Sequence, residues 1–207
     1  MVKIKNFFTF RHKRYWKNRQ LDWIPSYFTP DHVHRELIIK ALRGMKFGSV
    51  LEIGCGAGAN LYKISQRFPG VEIGGIDINK EAIETCKKLM PEAAVFEVSS
   101  ADKMFLQDKS ADVVLTDACL IYIDPLHINK VMKEIKRVSR KYVLFVEFHS
   151  IRWWNRLCLR LYDGYNAYNY RKLLKKHGFY DIEVYKIKDS EWPGWGSFGF
   201  VIAAKND

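Results

Sequence analysis

The chain has 207 residues, 48% hydrophobic and 28% charged, with a formal charge of +11, a composition that fits one globular domain. No apolar run approaches the roughly 18 residues of a membrane span, and the basic start MVKIKNFFTFRHKRYWKNRQ has apolar patches too short for a secretory signal. The four cysteines (Cys55, Cys86, Cys119 and Cys158) are scattered with no C-x-x-C pair, which argues against a zinc site or a disulfide framework and leads us to expect a reducing, cytoplasmic setting.

In chain order, residues 1–46 read as a basic, aromatic helical extension. They hold 11 Lys/Arg against 3 Asp/Glu, whereas residues 47–149 are nearly neutral (13 against 14) and residues 150–207 are again basic (10 against 6). Basic flanks on a neutral middle suit either a solvated surface or a face that meets phosphate, nucleic acid or lipid headgroups. Residues 6–20 read as a basic, aromatic helix or arm. The stretch YFTPDHVHRELIIKALRG predicts a helix with Thr29 as cap, Pro30 in the first turn and Gly44 as stop, its Val33, Leu37, Ile38, Ala41 and Leu42 on one face. His32 and His34, two apart on such a helix, would point to different faces and form no metal site.

Residues 47–148 then alternate strand and helix: SVLEI, ANLYKISQRF, VEIGGIDI, a helix capped by Asn79, AAVFEV, ADVVLT, a helix from Pro125, and YVLFVEF. That alternation predicts a parallel sheet with helices on both faces. Residues 149–166 fit no layer and read as an inserted, acceptor-covering segment. Residues 167–207 read as a helix closed by Gly178 and a hairpin, so that the last strand runs antiparallel. The whole is expected to be one domain.

VLEIGCGAGANL, Val50 to Leu61, is the stretch with the most chemistry in it. Glycines directly after a first strand let the backbone turn tightly and approach a ligand, and the next helix offers its free N–H groups there. Read as G-x-G-x-x-G/A the stretch fits a nicotinamide dinucleotide, and Asp77, 21 residues after Gly56, could take two ribose hydroxyls in either reading. Three features favour S-adenosylmethionine instead: Glu52 ahead of the glycines, a helix before the first strand, and the helix–hairpin end.

With VLEIGCGAG, GGIDINKEAIETCKK, SSADKM, ADVVLTDACLIYID and VMKEIKRVSRKYVLFVEF in sequence, the chain resembles the class I S-adenosylmethionine-dependent methyltransferases, within them the small-molecule group, over about residues 30–205. The resemblance implies a Rossmann-like α/β fold with strand order 3-2-1-4-5-7-6. It implies that Gly54, Cys55, Gly56 and Gly58 wall the methionine and ribose parts of the cofactor, and that Glu52 orients the ammonium. Asp77 would bind the ribose hydroxyls by charge-assisted hydrogen bonds, Ile78 would pack on adenine, and Ala101 with Asp102 would meet the adenine amino group. Asp117, ending strand four, would contact the methionine part.

The acceptor is constrained by what is missing. No N/D-P-P-Y/F holds a planar amino group, no Pro-Cys nucleophile is present, and no RRM signature accompanies the basic flanks. We therefore expect a small-molecule acceptor, anionic or sugar-like, with oxygen favoured over nitrogen and nucleic acid less favoured. Tyr122 and Asp124 would border its pocket. His149, at the carboxyl end of strand five, is the expected general base, with Glu147 two residues earlier to orient it. The segment from Ser150 mixes Trp153 and Trp154 with arginines, which suits an acceptor lid, a core-packed helix or a helix lying on a membrane surface.

Overall fold

The computed structural model describes residues 11–193 and 198–207. The expectations placed on residues 1–10 lie outside these.

Seven strands form one sheet in the order β3-β2-β1-β4-β5-β7-β6. They are β1 (Ser49–Ile53), β2 (Glu72–Asp77), β3 (Val95–Val98), β4 (Ala111–Asp117), β5 (Ser139–Phe148), β6 (Tyr180–Lys186) and β7 (Gly199–Lys205). β1 to β5 pair in parallel, and β7 runs antiparallel to both β5 and β6, as the sequence predicts.

The sheet is buried on both faces, and residues divide between the faces by parity, because side chains on a strand alternate. Leu51, Ile53, Val114, Val143 and Phe145 face α6 (Ile128–Val138) and α8 (Tyr170–Lys176), where Met132, Ile135, Tyr170 and Leu174 complete one core. Val50, Val113, Leu115, Leu144 and Val146 face α3 (Arg35–Arg43), α4 (Ala59–Arg67) and α5 (Lys80–Leu89), where Leu42, Leu61, Ile64 and Ile83 complete the other. Asn79 caps α5 as predicted, its side chain accepting the Ala82 N–H at 3.1 Å.

Ahead of β1 lie α1 (Arg11–Lys17) and α2 (Trp23–Tyr27), and after β5 comes α7 (Trp153–Cys158), continued by a π-helical turn over Leu159–Asp163. The predicted helix from Thr29 begins only at Arg35. Thr29 gives its carbonyl and hydroxyl oxygens to the Arg35 guanidinium, at 2.6 and 3.0 Å, instead of capping a helix. Residues 29–34 are therefore a turn. Likewise α6 starts at Ile128, not Pro125, because Asp124 first closes a turn by accepting the Leu126 N–H at 2.7 Å.

Candidate functional site

The carboxyl ends of β1, β2 and β4 open onto a cavity of about 430 Å³. Its wall is the glycine loop. Gly54 and Gly56 have φ of 74° and 53°, a left-handed backbone that side chains rarely tolerate. A Cβ on Gly54 would also lie 2.4 Å from the Cys119 sulfur, so β4's loop packs directly on bare backbone. The Gly56 N–H donates to Asp77 Oδ2 at 3.0 Å, and the Asn79 N–H to Oδ1 at 2.8 Å. Two backbone donors thus fix the carboxylate at the mouth of β2, while burial pushes its pKa up against their pull.

The floor is a buried polar chain. Asn60, on α4, donates to Glu52 Oε1 at 2.6 Å and to Asp117 Oδ2 at 2.9 Å. His34 Nε2 donates to the same Asp117 oxygen at 2.9 Å, and its Nδ1 lies 2.6 Å from Nδ1 of His32. Arg35 hydrogen-bonds the Asn60 carbonyl oxygen and stands 3.7 Å from Asp117. Burial, opposed by the Asn60 bond, raises Glu52 to about 8. Burial would raise Asp117 too, but His34, Arg35 and Asn60 hold it below the ordinary carboxylate range. Glu52 Oε2 and Asp117 Oδ1 remain buried with no protein partner among the described residues.

The roof is aromatic. Trp16 and Tyr122 meet edge to face at 5.1 Å, Tyr122 meets His12 at 5.4 Å and Tyr165 at 5.7 Å. Asn79 holds α1 in place by donating to the carbonyls of Trp16 and Arg19, both at 2.8 Å. His12 Nε2 lies 2.9 Å from the Gly164 carbonyl, and Lys13 pairs with Asp102 at 3.1 Å. The indole N–H groups of Trp16 and Trp23 are buried without partners among the described residues. Trp192, from the β6–β7 connection, stacks on His34 with centroids 3.7 Å apart.

Of the residues the sequence singled out, Glu52, Gly54, Cys55, Gly56, Asp77, Ile78, Ala101, Asp102, Asp117, Tyr122 and Asp124 all line this cavity. Gly58 does not line it; it faces Met90 and Cys86, where a Cβ would come within 2.4 Å of Met90 Cε, and its place is in packing the loop onto α5. His149 is not brought to the cavity either. It is 6% exposed, its Nδ1 accepts the Tyr170 N–H at 3.2 Å, and burial with nearby Arg171 and Arg156 lowers its pKa to about 4. Glu147 does not orient it: that carboxylate accepts backbone N–H groups of Cys119, Leu120 and Ile121 at 3.0, 2.9 and 3.2 Å. It holds the loop that presents Tyr122, and burial raises it to about 8. The sequence reading missed His34, Arg35, Asn60 and Trp192. His32 and His34 were expected to diverge on a helix; in the turn they touch.

The family described as "Methyltransferase domain" matches residues 50–142, the span that supplies the glycine loop, Asp77, Asp102 and Asp117. Together with the relatives below, this match supports a class I S-adenosylmethionine-dependent methyltransferase. Among curated relatives, a tRNA (guanine-N(7)-)-methyltransferase of Shewanella oneidensis is 31% identical over 115 residues, 54% of this chain and 44% of the relative. A malonyl-[acyl-carrier protein] O-methyltransferase of Priestia megaterium is 28% identical over 90 residues, 42% of this chain and 33% of the relative. The chain spans less than half the length of these curated relatives. In fold, the phosphoethanolamine N-methyltransferase 2 of Haemonchus contortus, solved with S-adenosyl-L-methionine, superposes with a TM-score of 0.71 at 18% identity, over 94% of this chain and 60% of that one. Among the described residues no group of three or more His, Cys, Asp or Glu could hold a metal ion.

The site fits the methyltransferase cofactor on its own chemistry. Asp117 Oδ1 is an acceptor open to a donor group such as an ammonium, and Glu52 Oε2 is a second buried polar atom with no partner among the described residues; buried polar atoms cost free energy until paired. Gly56 offers an open backbone wall, with only Trp23, at 3.8 Å, near a Cβ there.

Proposed function

We propose that the chain transfers a methyl group from S-adenosylmethionine to a small-molecule acceptor, with oxygen as the accepting atom. The observation that carries this reading is the arrangement just described: orphaned carboxylate oxygens at the floor, Asp77 at the β2 mouth, and an aromatic roof over a cavity large enough for a ligand.

When bound, the cofactor supplies a methyl already activated on a sulfonium, so the protein's task is mainly to position the acceptor. Asp77 binds the ribose hydroxyls with the lone pairs that Gly56 and Asn79 leave over. Glu52 and Asp117 orient the ammonium, and Arg35 offers its cation to the carboxylate end. Ile78 and Ala101 flank the adenine. Asp102, already engaged by Lys13 and Ser100, reaches the adenine amino group only through its remaining lone pairs. Trp16 and Tyr122 exclude water from the reacting centre. Tyr122 keeps its proton, because burial, Tyr165 and Tyr27 all push its pKa up, so it positions the acceptor by packing and hydrogen bonding rather than as a base.

Calorimetry with S-adenosylhomocysteine and with NAD tests the cofactor, and a screen of hydroxylated small molecules against bulk tRNA, read as S-adenosylhomocysteine release, tests the acceptor. Binding of S-adenosylhomocysteine but not NAD, with turnover on a small hydroxyl compound, is the expected result. Turnover on tRNA alone would overturn the small-molecule reading.

A further inference from the structure

The segment after β5 keeps most of its large apolar side chains exposed. Ile151 is 67% exposed, Trp153 63%, Trp154 48%, Leu157 45% and Tyr162 54%. α7 buries none of its residues. Ser150 and Leu159 are buried, and Arg160 reaches Asp124 at 3.4 Å. Trp153, Trp154 and Leu157 stand at i, i+1 and i+4, so one side of the helix is apolar. A contiguous apolar patch of this kind on a folded protein marks an interaction surface.

We propose that this face, Ile151 to Tyr162, seats the protein on an anionic lipid bilayer. The charge around the patch selects the occupant. Residues 150–163 hold three arginines (Arg152, Arg156, Arg160) against one acid, Asp163. Arg152 lies over the Trp154 ring at 5.7 Å, the arrangement in which an arginine stays at headgroup level while the indole enters the interface. α1 adjoins the far end of the segment through His12 and Gly164, and residues 11–19 add five Lys/Arg and no acid. Exposed Lys17 and Arg14 on that helix extend the positive field next to the apolar patch.

A second copy of the chain is a poor occupant, because a self-complementary contact would bring these arginines together. A nucleic acid would use the tryptophans as stacking platforms but would gain little from Ile151 and Leu157, the aliphatic half of the patch. A bilayer interface accepts tryptophan, leucine and isoleucine alike, and anionic headgroups meet the arginines. The surface is independent of the acceptor's identity, although it borders the cavity through Arg160–Asp124 and Tyr165–Tyr122.

The test is sedimentation of the full chain with phosphatidylcholine vesicles, alone or with roughly one-third phosphatidylglycerol, at moderate salt. We expect about tenfold or greater preference for the anionic vesicles, with a blue shift of tryptophan emission. The variant Trp153→Ser, Trp154→Ser, Leu157→Ser should lose that binding by about tenfold or more, since burial of these side chains drives insertion. These positions are exposed, and unchanged S-adenosylhomocysteine affinity by calorimetry confirms that the variant is folded. That control also separates this proposal from the cofactor reading, which fails only if neither protein binds S-adenosylhomocysteine. Absence of binding to anionic vesicles, binding that survives the triple substitution, or a dimer that the substitution abolishes would each overturn the proposal. So would tighter binding to a mixed tRNA pool that the same substitution removes.

Discussion

His34 and Asp117, 83 residues apart in the chain, meet at 2.9 Å where the turn before α3 reaches the end of β4. The contact ties the extension ahead of the sheet to the floor of the cavity, and the second oxygen of Asp117 stays buried without a partner among the described residues. Asp117→Asn should weaken S-adenosylhomocysteine binding about tenfold and lower stability by about 3 kcal/mol, because it leaves the Arg35 cation uncompensated. Calorimetry and denaturant melts read the two effects separately. Since the Asp117 pKa lies below its unfolded value, its contribution is present above about pH 4 and is lost as pH falls through the folded pKa.

Glu52 behaves in the opposite sense. Its folded pKa of about 8 lies above its ordinary value, so the folded protein holds a proton that the unfolded chain releases. The stabilising contribution of the neutral acid is full only at low pH and fades as pH rises from about 4 towards 8. Melting temperature should therefore fall between pH 6 and 9, and Glu52→Gln should fall less, by on the order of 5 °C. Glu147 shares the same burial and about the same value, so the slope should shrink in the variant rather than vanish. Equal slopes would mean that Glu52 is ionised in the fold.

Asp77→Ala removes the carboxylate proposed above to take the ribose hydroxyls and releases the Gly56 and Asn79 N–H groups. S-adenosylhomocysteine affinity should drop by about 1.5–3 kcal/mol, the usual worth of a hydrogen bond to a charged group. Normal calorimetric affinity in this variant would remove Asp77 from the site.

His149→Ala should act on stability and not on chemistry. The imidazole is packed against Phe200 and receives the Tyr170 N–H, so its loss should cost about 1–2 kcal/mol while S-adenosylhomocysteine affinity stays the same. With its pKa near 4, no ionisation of His149 should appear in activity between pH 6 and 7. An inflection there that the substitution abolishes would restore it as a base.

Strand order, the glycine loop and the acidic strand ends were legible because each is written locally: apolar runs at strand length, glycines where the backbone must be left-handed, and carboxylates one step beyond. His149 lies away from the cavity because of direction. It shares parity with Val143 and Phe145, whose side chains enter the core under α6 and α8, so the strand end brings it to the helix face and not to the open edge. That parity is in the sequence, but which helix covers the face is not. His34 and Arg35 were hidden for another reason. Thr29 and Pro30 carry a strong helix-start signal, and only the buried demand of Arg35 for Thr29's oxygens turns the segment away from a helix. Such a contact depends on Asn60 and Asp117, which come from elements far along the chain.

The roof has a kinetic consequence. Among the bonds that hold α1 over the cavity are two unlike kinds: the interior carbonyl contacts of Asn79, and the Lys13–Asp102 pair, whose lysine is 59% exposed. Dissolved ions screen the second and barely touch the first. Added salt should thus shorten the residence time of a bound ligand more than it alters the fold, so that the ionic strength of the medium sets how quickly the site can be emptied and used again.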